Sequence, residues 1–149
     1  MRSKDAYIHI KLDTGMSRLG FQIHEDSVDA IEEISKMPGL KLEGMFTHFA
    51  KADETDKAYT DVQIGKYNYM RDELKKRGVT FPIYHCSNSA GIIDIKKANM
   101  DLVRAGISIY GLYPSEEVEK KNVPLRPAME LISHVISAGK QVILLIPEI

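Results

Sequence analysis

Tyr7-Ile8-His9-Ile10-Lys11-Leu12-Asp13 alternates polar and apolar side chains, and Thr14-Gly15-Met16-Ser17 breaks the pattern directly behind it. Period two is the pattern of a strand, with Ile8, Ile10 and Leu12 on one face and Tyr7, His9, Lys11 and Asp13 on the other. A different period follows. Val28, Ile31 and Ile34 recur at helical spacing across Ser27 to Met37, a run that Pro38-Gly39 ends. A second strand is expected over Leu40 to Phe49, with Leu42, Gly44 and Phe46 sharing a face. The polar stretch Lys51 to Lys57 leads into a long helix reaching about Lys76, with Ile64, Tyr67, Met70 and Leu74 on one stripe and Gly78 as its stop. A short strand from Pro82 to about Ser87, a short helix from Ser89 to Lys97 and a fourth strand from Asp101 to Arg104 complete the series.

Strands separated by helices indicate βαβ units, a parallel sheet and the α/β class. Such strands need helices on both sheet faces, or closure into a barrel with the helices outside. Further on, Ile107 to Leu112 is apolar, and Pro114, Pro124 and Pro127 punctuate a polar connection. Met129 to Ile146 is strand-like without a helical partner. The expected division is therefore residues 1–113, a connection at 114–128 and the start of a β-rich unit at 129–149.

Composition narrows the function classes. The 149 residues suit one domain, and 44% apolar with 28% charged residues is a globular composition. Lys and Arg number 20 against 21 Asp and Glu, a net charge of −1 that gives no general attraction to nucleic acid or anionic lipid. The single Cys86 excludes an intrachain disulfide and a multi-cysteine zinc site, and fits a reducing, cytoplasmic setting. The first residues lead straight into the strand with no signal-peptide apolar core. The longest apolar run, Val142 to Ile146, falls far short of the ~20 residues that span a bilayer, so no membrane partner is expected.

Ligands of parallel α/β folds collect at the C-terminal ends of strands. The polar residues expected there are Lys11, Asp13, His48, Ser87-Asn88-Ser89 and Arg104 followed by Gly106. Cations, an imidazole, hydroxyls and a glycine suit an anionic ligand bearing phosphate. Each has a plainer reading. Lys11 is an edge lysine in water or an interior one that must be paired, neutralised or modified. Arg18 is a solvated loop arginine unless it reaches back toward Lys11, and His48 alone reads as a satisfied core histidine. Ser87-Asn88-Ser89 is first an N-cap signal, though a capped helix start also attracts anions. Cys86 reads as a small buried hydrophobe, and the Asp53-Glu54 and Glu116-Glu117 pairs lack metal-ligand spacing.

Four ordered motifs resemble those of the alanine racemase family: His9 to Gly20; Gly44-Met45-Phe46-Thr47-His48-Phe49-Ala50 with Ala52-Asp53-Glu54; His85 to Ala90; and Val103 to Gly111. The resemblance implies the later strands of a TIM (β/α)8 barrel leading into a C-terminal β-domain, pyridoxal 5'-phosphate as cofactor, alanine as substrate and a homodimer. It implies interconversion of L- and D-alanine for cell-wall D-alanine supply. By that likeness Lys11 is a lysine carried carbamylated, an anion able to hold Arg18. Arg18 would contact the cofactor's phenolic oxygen and the substrate carboxylate. His48 would support the cofactor and pair with Arg104, which would hydrogen-bond the pyridine nitrogen. Ser89, Gly106 and Ile107 would hold the phosphate, with Asn88 in support, and Asp53 would lie along the substrate corridor.

Two motifs of the family have no counterpart here: the lysine string that forms the Schiff base, and the tyrosine of the β-domain. The chain alone is therefore expected to be inactive, as an internal part of a barrel of ~250 residues. The exposed strand edges of an open barrel are expected to drive association. A racemase of another small amino acid such as serine, or a non-catalytic module that binds pyridoxal phosphate, are the alternative readings.

Overall fold

The computed structural model describes residues 5–128 and 130. Three parallel strands form one sheet in the order β1 (Ala6–Lys11), β2 (Leu40–Phe46) and β3 (Ile83–His85). Helix α1 (Glu25–Ser35) joins the first pair and α2 (Ala58–Lys76) the second. Sequential order with right-handed crossovers puts both helices on one face of a sheet. They do pack against each other, and Arg77 behind α2 reaches Glu25, Asp29 and Glu32 of α1.

The core lies between that face and the helices: Ile10, Leu12 and Met45 from the sheet, Val28 and Ile31 from α1, and Tyr67, Met70 and Leu74 from α2 are all buried. The Tyr67 hydroxyl donates to Met45 O at 2.7 Å, which satisfies the one polar group that this ring brings inside. The α2 stripe also carries Gln63 as a fully buried member. Its amide accepts from Ala50 N and donates to Thr14 Oγ1 and His48 O, so it fastens the loops behind β1 and β2 together.

Helix α1 starts two residues earlier than the periodicity indicates, because His24 caps it and Glu25 and Asp26 suit its positive end. It also ends earlier, since a residue before Pro38 disfavours helical backbone. Residues 101–104 do not form the expected strand. Asp101 N and Arg104 N donate to Tyr84 O and Ser87 O, contacts three residues apart that break the two-residue period of a ladder. The apolar stretch at 107–112 is a 3₁₀ turn, Ile107–Tyr110, ended by Gly111 in the left-handed region. Ser89 to Lys97 divides into helix α3 (Ser89–Asp94) and a 3₁₀ turn, Lys96–Ala98.

The face assignment within β2 also changes. Ile8 pairs with Leu42 but His9 pairs with Gly44, so Glu43 is an extra residue and the strand bulges there. The bulge turns Leu42 and Met45 toward the helices and leaves Gly44 and Phe46 on the opposite face with His9 and Lys11. Strict alternation places Leu42 with Gly44 and fails at this one residue. The expected β-rich unit at 129–149 lies outside the described residues apart from position 130. Among the described residues no helix is long and apolar enough to cross a membrane.

Candidate functional site

Cations gather at the C-terminal ends of the strands, on the face away from the helices. The loop behind β1 is held by Asp13, whose carboxylate accepts from Gly15 N at 3.1 Å, Ser17 N at 2.9 Å and Gln22 Nε2 at 3.4 Å. Burial alone would raise this carboxyl, but those donors keep it below the ordinary value. The loop presents Arg18 to solvent, and Lys11 donates to Leu19 O on its return. Burial pulls Lys11 below its usual value; Asp13 opposes that shift, while Arg18 and Arg104 add to it.

His48, Asp53, Asn88, Ser89, Arg104, Gly106 and Ile107 line one cavity of about 270 Å³. Lys11 and Arg18 are not in its wall, although both act electrostatically on His48. Burial, followed by Arg104, Arg18 and Lys11, pulls His48 down and keeps it neutral at pH 7. Asn88 caps α3 by accepting from Gly91 N at 3.0 Å. Next to it, Gly106 N, Ser108 N and Ser108 Oγ converge on Ser89 Oγ at 3.0, 3.3 and 3.1 Å. Either hydroxyl can donate in the last of these contacts, so two amides and two hydroxyls meet at one point. Asp53 is held from behind, its carbonyl accepting from Ser115 Oγ at 2.9 Å.

Arg104 organises the other wall. Its Nη2 donates to Thr47 O at 2.7 Å and Cys86 O at 3.1 Å. Its Nη1 donates to His85 Nδ1 at 2.6 Å and, more weakly, to His85 O at 3.4 Å. Phe46 stacks on His85 at 4.7 Å and lies 5.0 Å beneath the guanidinium, a floor for both groups. Guanidinium has five N–H donors, and the two terminal nitrogens account for four of them. Nε is the donor without a partner among the described residues. The imidazole that Arg104 meets is His85; the resemblance assigns that pairing to His48, which the structure does not join to Arg104. His85 also lies 2.8 Å from His9, whose far nitrogen is 3.2 Å from Glu43.

Sequence reading missed His9, Glu43 and His85 as members of the site. The available signal was the Glu43-Gly44 pair inside a strand, since an interior glycine marks a bulge or a close approach. Cys86, by contrast, faces the core, and burial pushes its thiol up to about 12, which leaves it unreactive at neutral pH. Among the described residues no cluster of His, Cys, Asp and Glu could hold a metal ion.

Comparison with known proteins gives the arrangement a family. Residues 2–114 match the family described as alanine racemase, N-terminal domain. An alanine racemase of Methanococcus maripaludis is 47% identical over 135 residues, covering 89% of this chain and 36% of its own length. One from Desulforamulus reducens is 44% identical over 146 residues, covering 95% of this chain and 40% of its own. The solved alanine racemase of Clostridium difficile 630, in complex with cycloserine, superposes with a TM-score of 0.81 at 49% identity over 83% of this chain and 34% of that one. The chain thus spans between a third and two-fifths of the length of these relatives. The chain belongs to the alanine racemase family, and the part it represents is the one that carries this cavity.

Proposed function

We propose that the chain is the cofactor-holding part of a pyridoxal-phosphate-dependent alanine racemase, built from later strands of a (β/α)8 barrel. In this reading residues 1–113 form the barrel part, 114–128 the connection and 129–149 the start of the β-domain. The whole enzyme works as a cytoplasmic homodimer that supplies D-alanine. The cavity fits the group. A phosphate is an acceptor for the amides and hydroxyls that Ser89, Gly106 and Ser108 gather at one wall, with Ile107 beside them and Asn88 holding the turn. Bound there, pyridoxal phosphate supplies an electron sink that acidifies the Cα–H of an amino acid.

The single observation that carries the reading is the donor count at Arg104. Four of its N–H groups are occupied by protein acceptors, and the fifth, on Nε, is left for a ring nitrogen. An arginine there keeps its own proton, so it hydrogen-bonds that nitrogen without protonating it. Lys11, Arg18 and Arg104 together attract the anionic groups of cofactor and substrate. Carbamylation of Lys11 would exchange one of these three cations for an anion that holds Arg18. Asp53 lies on the path to the cavity.

Difference absorbance of pyridoxal phosphate titrated into the chain tests the proposal. Saturable binding is expected, weakened at least tenfold by Ser89→Asp, which sets a carboxylate among donors meant for phosphate. No D-alanine is expected from the chain alone, because the two groups that exchange the Cα proton are not among its motifs. Absence of saturable binding, or binding indifferent to Ser89→Asp, would sink the proposal.

A further inference from the structure

Hydrogen-bond direction along the side chains Arg104, His85, His9 and Glu43 is not free. Guanidinium has no acceptor, so His85 Nδ1, 2.6 Å from Arg104 Nη1, must be the bare nitrogen of that ring. His85 then carries its proton on Nε2, 2.8 Å from His9 Nδ1, which must accept. His9 in turn carries its proton on Nε2, 3.2 Å from Glu43 Oε2. A proton added to either bare nitrogen would set two donors against each other, so the three contacts coexist only with both rings neutral. Burial, then Arg104, then His9 pull the His85 imidazole down to about 4, in keeping with a neutral ring.

The β2 bulge builds this line. It sets Glu43 and Gly44 together opposite His9, so the carboxylate reaches one nitrogen of the ring while the ring itself lies over Gly44. A Cβ on Gly44 would overlap the His9 ring. An ordinary strand at this point would point only one of the two residues inward.

We propose that Glu43 and His9 are positioning residues that act through His85 on Arg104, in a one-way line of donors that ends on the Glu43 carboxylate and fixes where the Arg104 Nε–H points. This rests on the reading that Arg104 faces the cofactor's ring nitrogen. The line supplies the shorter of two contacts at Nη1, 2.6 Å against 3.4 Å to His85 O, while Thr47 and Cys86 tie the guanidinium at Nη2. Glu43 is not among the residues that line the cavity.

Two measurements on the full chain test this. Imidazole ¹⁵N spectra at pH 7 should show His9 and His85 both protonated on Nε2 and bare on Nδ1, and the Arg104 Nε–H signal should shift in Glu43→Ala but hold in Glu43→Gln, whose amide oxygen still accepts. A Nδ1–H tautomer at either ring, or an Arg104 signal unmoved by Glu43→Ala, would overturn the proposal with no ligand present. In the second measurement, pyridoxine phosphate should bind about tenfold better than its analogue with CH in place of the ring nitrogen. Glu43→Ala should erase that preference while leaving affinity for the analogue unchanged, and Glu43→Gln should retain it. Equal weakening of both ligands in Glu43→Ala would make Glu43 merely structural. Equal binding of both by the unmutated chain would instead remove the reading of Arg104 on which the proposal stands, and the spectra would still decide the polarity of the line.

Discussion

Gly20→Ala is expected to destabilise the chain by about 3 kcal/mol or more, seen as a large fall in the urea midpoint. Gly20 has φ +124°, and a Cβ there would lie 2.9 Å from Asp13 N, Leu12 C and Lys11 O. All three are backbone atoms at the end of β1, where Asp13 N donates to Phe21 O and Phe21 N to Lys11 O, both at 2.8 Å. None can yield without breaking the pairing that returns the Arg18 loop to the sheet. Backbone strain and steric overlap therefore add. Gly65→Ala is the control: Gly65 is exposed within α2 with nothing within 4 Å, so the same change should stabilise by about 0.5–1 kcal/mol. A Gly20→Ala midpoint equal to that of the unmutated chain would show that the loop is not pinned this way.

Arg104→Met should cost about 2–4 kcal/mol at pH 7, because Thr47 O, Cys86 O and His85 Nδ1 lose their donor. The pH profile identifies the cause. In the folded chain His85 titrates at about 4, through burial and then the Arg104 and His9 charges, against 6.5 in its unperturbed state. Between these values the unfolded chain binds the proton and the folded one does not, so stability falls as pH drops through that window. The loss is complete below about 4 and amounts to about 3 kcal/mol. Without the guanidinium His85 moves up, though burial still holds it below 6.5, and the window narrows. Urea midpoints from pH 7.5 to 4 should therefore slope less in Arg104→Met. Parallel slopes would mean that Arg104 does not govern His85.

Much of this fold was legible where the chain obeys one period at a time. The alternation through Leu12 and the three-residue spacing of Val28, Ile31 and Ile34 each have one structural solution. Two other stretches do not. At Glu43-Gly44 one extra residue shifts the phase of a strand, and no local count of apolar residues registers that. At 101–104 an apolar pair, Leu102 and Val103, resembles a strand, yet backbone contacts three residues apart and the Arg104 side chain on His85 O and Cys86 O replace a ladder.

The cavity wall was legible in kind, since cations, hydroxyls and glycine at strand ends suit a phosphate-bearing anion. The line behind Arg104 was not. His9 and His85 are 76 positions apart and His9 and Glu43 are 34 apart, and their meeting depends on strand register and on the bulge. The resemblance assigned the arginine partner to His48, which the structure does not join to Arg104. The residue that meets Arg104 is the one stacked on Phe46, a relation that only the folded sheet reveals.

On the proposed reading this cavity takes a phosphorylated pyridine with the phosphate at Ser89 and the ring nitrogen at Arg104. Backbone and arginine ¹H–¹⁵N spectra recorded during a titration with pyridoxine phosphate test it most directly. The amides of Ser89, Gly106, Ile107 and Ser108 and the Nε–H of Arg104 should shift together along one binding curve, with inorganic phosphate moving the amides but not the Nε–H. Shifts confined to surface lysines, or an Arg104 signal that stays still while the ligand saturates, would contradict it.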